Sequence, residues 1–177
     1  MDPMNIQQIW SHLHRHTFWG MGGGAVISAG MSAIDIACWD IRGKVLNAPI
    51  WQVLGGKTND NLRTYASQLQ IGWDKVWHVY TDPKDYAFAA RQALDDGYDA
   101  IKVDPIMFDR QARCLTYDGV GGAYFGLMRH DEIKMGRDRL EAMRKEIGPD
   151  VDIILEIHSL FGTNAAIQFA RAVQDLG

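Results

Sequence analysis

The sequence PDVDIILEIHS, residues 149–159, is the stretch from which the fold of this chain can be predicted. Residues 153–155 are a short apolar run of the kind that a strand buried on both faces shows. The chain then turns polar, with Glu156 and His158 two positions apart. Because side chains two apart in an extended chain point the same way, we expect a carboxylate and an imidazole side by side at the carboxyl end of this strand.

Predicted helices and strands alternate around this stretch. The pattern from residue 62 predicts strand 62–69, helix 82–95, strand 99–104, helix 134–147, strand 153–155 and helix 163–176. Asp82 and Pro83 begin the first of these helices, and Thr163 or Asn164 is expected to cap the last. This order predicts a parallel series of strand–helix units and hence an α/β fold. A strand that ends in Glu-x-His before a helix is also how an α/β barrel presents catalytic groups.

The first part of the chain is predicted to be helical. Helices are expected over residues 5–16, 25–45 and 49–54. The long second helix has apolar residues at alternating spacings of four and three, which is typical of one buried face: Ile27, Met31, Ile34, Cys38, Ile41 and Val45. The pattern changes after this part, and we therefore divide the chain into residues 1–60 and 61–177.

Composition limits the class of protein. Of 177 residues, 47% are hydrophobic and 23% are charged, the balance of a soluble globular protein. A formal net charge of −4 gives no support to nucleic-acid binding, which usually shows a basic patch. No apolar run is expected to approach the roughly 20 residues of a membrane span, and the first residues lack a signal-peptide pattern. Cys38 and Cys114 are far apart and imply no disulfide framework, so a cytoplasmic location is predicted.

Three alternating histidines near the amino terminus suggest a metal site. They are His12, His14 and His16. On a helix, however, a spacing of two places successive rings about 200° apart, so they do not converge. We therefore expect a solvated helix end here.

Two glycine-rich segments lie between the predicted elements. GMGGG at residues 20–24 formally begins a dinucleotide-binding fingerprint, but that motif needs a preceding strand, and the preceding residues look helical. The loop is expected either as a flexible lead into the next helix or as a flap over a site, which makes the adjacent Trp19 a candidate substrate-binding residue. The long connection over 105–132, with GVGG at 119–122, is typical of a functional or mobile loop.

Residues 31–57, MSAIDIACWDIRGKVLNAPIWQVLGGK, closely resemble the helix and linker before the barrel in the mandelate racemase and muconate lactonizing group of the enolase superfamily. AIKVD at 100–104 and ILEIH at 154–158 match the positions where that family keeps catalytic residues on its second and third strands. The resemblance covers almost the whole chain. It implies that residues 1–60 are the C-terminal helical part of an α+β capping domain, and that 61–177 are the first three βα units of a partial (β/α)8 barrel.

The resemblance also implies a reaction. In this family the reaction starts with abstraction of the proton α to a carboxylate, and Mg²⁺ holds the resulting enediolate. Glu156 matches the first of three acidic metal ligands, and Lys102 matches the lysine that faces the substrate carboxylate. His158 matches the histidine that acid-sugar dehydratases place two residues after the metal ligand, where it acts as general acid toward the β-hydroxyl. A Mg²⁺-dependent dehydratase is therefore expected, similar to the galactonate and mannonate dehydratases, with a small sugar acid as substrate.

Asp104 departs from the family pattern, because racemases and cycloisomerases carry a second lysine there as base. It stays a candidate catalytic residue, and the departure argues against racemisation through a second-strand lysine. The alternatives are a racemase, epimerase or cycloisomerase of the same superfamily, and a non-catalytic half-barrel that acts as an assembly or partner-binding piece. From the residues alone, Glu156 could instead form a structural ion pair with Lys102, and His158 could be a structural histidine.

The predicted barrel is incomplete. A complete barrel takes about 250 residues, so three βα units are expected to be a fragment of a longer protein. Three units leave an unpaired sheet edge, which we expect a homo-oligomer or a companion chain to cover. A lone Glu156 cannot make a good Mg²⁺ site, which needs about six oxygen ligands, so the other ligands are expected outside this chain.

Overall fold

The computed structural model describes residues 1–73, 76–115 and 124–177. It divides into two compact units, Met1–Leu62 and Arg63–Gly177, and each is described by itself. The glycine-rich segment predicted at 119–122 lies outside the described residues.

The first unit consists of helices, as the apolar pattern predicts. They are α1 (Ile6–Arg15), α2 (Gly24–Val45) and α3 (Ile50–Val53). α1 and α3 both pack against α2. The buried hydrophobic side chains of this unit are Ile6, Met31 and Cys38. Cys38 is therefore a core residue, as predicted.

Most of the predicted apolar stripe of α2 is not buried within this unit. Ile34, Ile41 and Val45 are 44%, 39% and 65% exposed, whereas Met31 and Cys38 are buried. The expectation of one continuous buried face was therefore wrong. For Ile41 and Val45 the physical reason is length: α1 has 10 residues and α2 has 22, so a helix of about 15 Å covers only part of one of about 33 Å.

α2 is also long and apolar enough to cross a membrane, judged by length and composition alone. The expectation that no apolar segment approaches a membrane span is therefore wrong for this helix. It is weak evidence for a span, because the core helix of a soluble protein passes the same test.

The second unit alternates helices with short strands. Its elements are a 3₁₀ helix (Leu69–Ile71), α4 (Pro83–Asp95), β1 (Ala100–Val103), α5 (His130–Ile147), β2 (Asp152–Leu155), α6 (Thr163–Val173) and a 3₁₀ helix (Gln174–Leu176). β1 and β2 are parallel, and Lys102 is paired with Ile154. The α/β class with a parallel sheet is thereby confirmed, whereas the partial barrel stays a prediction.

The strand predicted over residues 62–69 was wrong in extent. Of these residues only Ala66 pairs with β1, through backbone hydrogen bonds of 3.0 Å to Ala100 and 2.6 Å to Lys102. Gln68 ends the extended segment, because its φ of 68° is left-handed and leads directly into the 3₁₀ helix. β1 thus has Ala66 along one edge and β2 along the other.

Local capping explains where two of the helices begin. Asp82 caps α4 as predicted, since its Oδ1 accepts a hydrogen bond of 3.0 Å from the N–H of Lys84. α5 begins at His130, earlier than predicted, because the N–H of Arg129 donates to Oε2 of Glu132 at 2.8 Å. Glu132 thereby supplies one half of a capping box, in which the carboxylate at the third helical position accepts from the N–H of the cap residue.

The prediction that Thr163 or Asn164 caps α6 was wrong. Gly162 occupies the cap position, and the helix has no side-chain cap. The N–H of Gly162 donates to the carbonyl of Tyr124 at 2.8 Å. A Cβ at this position would lie 2.3 Å from the carbonyl oxygen of Phe125, so only glycine allows the two segments to approach this closely.

The two faces of the small sheet differ. Ile101 and Val103 of β1 are fully buried in a core that α4, α5 and α6 complete. Because side chains alternate along a strand, Lys102 points to the other face. On that face Tyr65 and Ile154 are 46% and 38% exposed. The sheet therefore presents Lys102 on the side that the helices do not cover.

Candidate active site

Four of the predicted site residues lie at one edge of the sheet. Lys102 is in β1 and Asp104 follows that strand, whereas Glu156 and His158 follow β2. Since the strands are parallel, their carboxyl ends meet at the same edge, which is where α/β barrels place catalytic groups. The N–H of Glu156 donates to the carbonyl of Val103 at 2.9 Å, so the two chain segments stay adjacent beyond the end of β2.

Lys102 and Glu156 form an ion pair. Lys102 Nζ lies 3.4 Å from Glu156 Oε2, and the two side chains are 21% and 30% exposed. The same Nζ is 5.1 Å from the centre of the Tyr65 ring, a cation–π distance. Burial lowers the pKa of Lys102, but hydrogen bonds with Glu156 and Tyr65 outweigh that effect and leave the pKa raised. This contact is the structural ion pair that the simpler interpretation expects, and it also keeps a cation at the edge of the sheet.

Glu156 also organises the turn that follows β2. Its Oε1 accepts hydrogen bonds from the N–H groups of Ile157 at 3.1 Å and His158 at 2.8 Å. The bond from the His158 N–H is the main cause of the lowered pKa of Glu156; burial opposes it, and Lys102 adds to it. The carboxyl is therefore ionised at neutral pH.

The chain is not extended as far as His158. β2 ends at Leu155, and His158 and Ser159 have left-handed φ values of 49° and 57°. The expectation of an extended chain from Glu156 to His158 at the end of this strand was therefore wrong. The Glu156 carboxylate accepts hydrogen bonds from the N–H groups of Ile157 and His158, and these bonds hold the backbone in a turn. Such backbone costs about 1–3 kcal/mol per residue and is concentrated at functional sites.

Asp104 and His158 form a second pair. His158 Nδ1 lies 2.8 Å from Asp104 Oδ2, and the side chains are 22% and 1% exposed. The other carboxyl oxygen of Asp104 accepts from the N–H of Ile106 at 3.0 Å. Burial raises the pKa of Asp104, and the hydrogen bonds from His158 and Ile106 reduce that rise without cancelling it. A buried carboxylate on Nδ1 fixes the orientation of the imidazole, which a general acid or base requires.

Sequence reasoning missed Gln70, which belongs to this site. Gln70 is 1% exposed, and its Oε1 accepts from the N–H of Asp104 at 3.2 Å. Its Nε2 donates to Gln68 Oε1 at 2.7 Å and contacts Met107 Sδ at 3.3 Å. The segment from Gln70 onward was interpreted as a loop, and its sequence carries no signal that this amide is buried.

Trp19, the predicted substrate-binding residue, belongs to the first unit, whereas the other four belong to the second. It is 61% exposed, and its ring meets the Phe18 ring edge to face at 4.7 Å. Its role in substrate binding stays a prediction.

The side chains present do not by themselves fit a Mg²⁺ site. Across residues 1–73, 76–115 and 124–177, no group of three or more His, Cys, Asp or Glu side chains is placed to hold a metal ion. Glu156 offers one carboxylate, and Asp104 is already bonded to His158. Since Mg²⁺ requires nearly octahedral oxygen coordination, further ligands would be needed.

Two family models match the chain. Residues 1–55 match the N-terminal domain of mandelate racemase / muconate lactonizing enzymes, and residues 85–177 match the enolase C-terminal domain-like family. The chain belongs to the mandelate racemase and muconate lactonizing group of the enolase superfamily. α2 lies within the first match, which favours a packing helix of that domain over a membrane span.

Dehydratases are among the members of this group to which the chain is similar. It is 31% identical to D-gluconate dehydratase of Thermoproteus tenax over 96% of this chain and 30% of that protein. It is 31% identical to D-gluconate/D-galactonate dehydratase of Picrophilus torridus over 97% of this chain and 38% of that protein. A solved structure from Salmonella enterica serovar Typhimurium, provisionally described as a dehydratase, is 57% identical with a TM-score of 0.94, over 99% and 44% of the two chains.

The chain thus spans less than half of the length of each of these three relatives. It shares the fold of the superfamily over the region it does span. Lys102, Asp104, Glu156 and His158 all lie within the region matched by the enolase C-terminal domain-like model.

Proposed function

We propose that this chain carries the second- and third-strand catalytic residues of a sugar-acid dehydratase. The observation that carries the proposal is the pairing of His158 with buried Asp104 at 2.8 Å, beside the Lys102–Glu156 pair, at the carboxyl edge of two parallel strands. The names of the Thermoproteus and Picrophilus relatives support the reaction class.

The proposed reaction removes the α-proton and the β-hydroxyl of a sugar carboxylate as one molecule of water, and a base outside these four site residues takes the α-proton. The enol that results becomes a 2-keto-3-deoxy acid by gaining a proton at the β-carbon. Lys102 binds the substrate carboxylate, because it is a cation held at the carboxyl edge of the sheet. His158 donates a proton to the departing β-hydroxyl as general acid, and Asp104 holds its ring in position.

Asp104 is a positioning residue in this proposal. Its carboxylate is buried and bonded to His158 and Ile106, an arrangement suited to orienting the imidazole. This arrangement also argues against the alternative of racemisation at the second strand, where other members carry a lysine as base. Epimerisation or cycloisomerisation by other groups stays an alternative for the test to decide.

Mg²⁺ is part of the proposal, and Glu156 would be one of its ligands. When bound, the ion would supply positive charge that stabilises an enediolate. Glu156 contributes one oxygen ligand, and the remaining ligands have to come from outside the described residues. We propose that a companion chain, a second copy of this chain or a longer form of it provides them, and that the substrate is a small sugar acid.

The test is an assay of the purified protein together with any chain that co-purifies, whose masses are measured first. D-gluconate and D-galactonate are incubated with Mg²⁺ in D₂O, and ¹H NMR follows both loss of water and exchange of the α-proton. Formation of the 2-keto-3-deoxy acid supports the proposal. Exchange or inversion at the α-carbon without loss of water would support a racemase or epimerase. Neither change in any assembly would support the non-catalytic half-barrel.

A variant separates the role of His158 from the rest of the site. His158→Asn should abolish loss of water and leave exchange of the α-proton, because only departure of the β-hydroxyl needs this acid. His130→Asn is the matched control, since His130 is exposed at the start of α5. Equal dehydration by the wild type and His158→Asn would exclude the assigned role.

A further inference from the structure

His12 and His16 lie on the same side of the carboxyl end of α1. Their ring centres are 5.6 Å apart and their planes differ by 25°, so the two imidazoles are stacked. The N–H of His16 donates to the carbonyl of His12 at 2.9 Å, so the helical hydrogen-bond pattern continues to His16. Neighbours two apart do diverge, as expected, but sequence reasoning missed that residues four apart share one face.

We propose that His12 and His16 together bind one divalent transition-metal ion. Two histidines four positions apart on one helical face are a recurrent way to hold such an ion. Both side chains are exposed. Rotation about their side-chain bonds can therefore turn one nitrogen of each ring to a common ion, and water can complete the coordination. The inference does not depend on the proposed dehydratase activity.

The chemistry of the pair selects the class of ion. Imidazole nitrogen suits Zn²⁺, Cu²⁺ and Ni²⁺, whereas Mg²⁺ and Ca²⁺ prefer oxygen ligands. In the part of the chain that the structure describes, no third His, Cys, Asp or Glu joins the pair. The site is therefore a two-nitrogen site for late first-row metals. A bound ion would tie the last turn of α1 to its cap residue, which stabilises a helix of only 10 residues.

The experiment is a calorimetric titration of the whole chain with Ni²⁺ in the presence of excess Mg²⁺, which competes at carboxylate sites. The wild type should bind one Ni²⁺. His12→Asn and His16→Asn should each weaken binding roughly tenfold or more, because the remaining imidazole loses its preorganised second ligand. His14→Asn is the matched control and should bind as the wild type does, because His14 lies on another side of the helix. Circular dichroism verifies that each variant is folded.

NMR supplies a second readout. Substoichiometric Ni²⁺ should broaden the ring signals of His12 and His16 before those of the histidines in the second unit. Three results would overturn the proposal: no Ni²⁺ binding by the wild type, equal binding by His12→Asn and the wild type, or an equal loss in His14→Asn. None of these results bears on dehydration of a sugar acid, so the two proposals fail separately.

Discussion

The Nδ1 atom of His158 lies 2.8 Å from Oδ2 of Asp104, although 54 positions separate the two residues in the chain. The carboxylate is almost fully buried, and the imidazole is 22% exposed. One end of the ring is thus held by the protein interior. A buried carboxylate that binds one ring nitrogen is a common way to fix the orientation of a histidine.

Replacing Asp104 by asparagine tests the relationship directly. If Asp104 orients His158, Asp104→Asn should lower kcat for dehydration by roughly 100- to 10,000-fold, the usual contribution of positioned acid–base groups, and should change KM little. Steady-state kinetics of the assembled enzyme measure both. The ¹⁵N shifts of the His158 ring should also report an altered tautomer, which a purely structural role of Asp104 would not require.

Asp99→Asn is the matched control for that variant. Asp99 lies just before β1, at the opposite end from the site, and forms an exposed ion pair of 2.9 Å with Arg63. Its replacement should leave kcat and the His158 shifts unchanged. Unchanged His158 shifts in Asp104→Asn, or an equal loss of kcat in Asp99→Asn, would contradict the positioning role.

Gly136 allows α5 to approach α6 closely. A Cβ at Gly136 would lie 2.7 Å from Phe169 Cζ and 2.8 Å from Ile106 Cγ2, both buried. Gly136→Ala should therefore lower the free energy of unfolding by about 1–3 kcal/mol, despite the better helix propensity of alanine. Urea unfolding measures the change.

Gly30→Ala in α2 is the control, because nothing lies within 4 Å of its Cβ position. This variant should raise the free energy of unfolding by up to about 1 kcal/mol. Equal effects in both variants would exclude the crowding argument.

Replacing Arg139 should strongly lower the free energy of unfolding of the second unit. It is fully buried, and its guanidinium donates to four backbone carbonyls: Thr81 at 3.0 Å, Pro105 at 2.8 Å, Phe108 at 2.7 Å and Asp109 at 3.5 Å. Arg139→Lys keeps the charge but cannot reach all four, so we expect a loss of about 2–4 kcal/mol in the free energy of unfolding.

The control for Arg139→Lys is Arg91→Lys in α4. Arg91 is 52% exposed and pairs with Asp95 at 2.8 Å. Because exposed ion pairs contribute little, this change should cost about 0.5 kcal/mol or less. A loss in Arg139→Lys no larger than in Arg91→Lys would mean that the buried carbonyls find other donors.

The helices were predictable where local chemistry decides them. Asp82 caps α4 as its sequence signal indicates, because the capping bond involves only neighbouring residues. The cap of α6 was not predictable. Glycine is required at position 162 because the backbone of Phe125, which is distant in the sequence, lies too close for a Cβ. The strand at 62–69 failed for a related reason: its alternating pattern is compatible with a strand, but the left-handed Gln68 ends the extended segment.

The site was predictable in part. Lys102 and Glu156 follow from the rule that parallel strands bring their carboxyl ends together, and their ion pair was foreseen as one interpretation. The pairing of His158 with Asp104 was not, because it depends on the left-handed turn after Leu155. Gln70 was missed because a buried amide in a turn has no sequence pattern that distinguishes it from an exposed one.

The ion pair between Arg137 of α5 and Asp175 of the final 3₁₀ helix should be lost at low pH. Arg137 forms two hydrogen bonds to the Asp175 carboxylate, of 2.6 and 2.7 Å, and these lower the pKa of Asp175 to about 2. A folded-state pKa below the unfolded value means that the pair stabilises the fold above the unfolded pKa. This contribution is lost as pH falls from about 4 toward about 2.

A ¹³C-carboxyl NMR titration should therefore show Asp175 titrating near 2, and Arg137→Gln should return its pKa toward 3.8. Asp82, whose pKa is lowered mainly by the Lys84 N–H, should not respond to that variant. An unchanged Asp175 titration in Arg137→Gln would show that another group holds this carboxylate ionised.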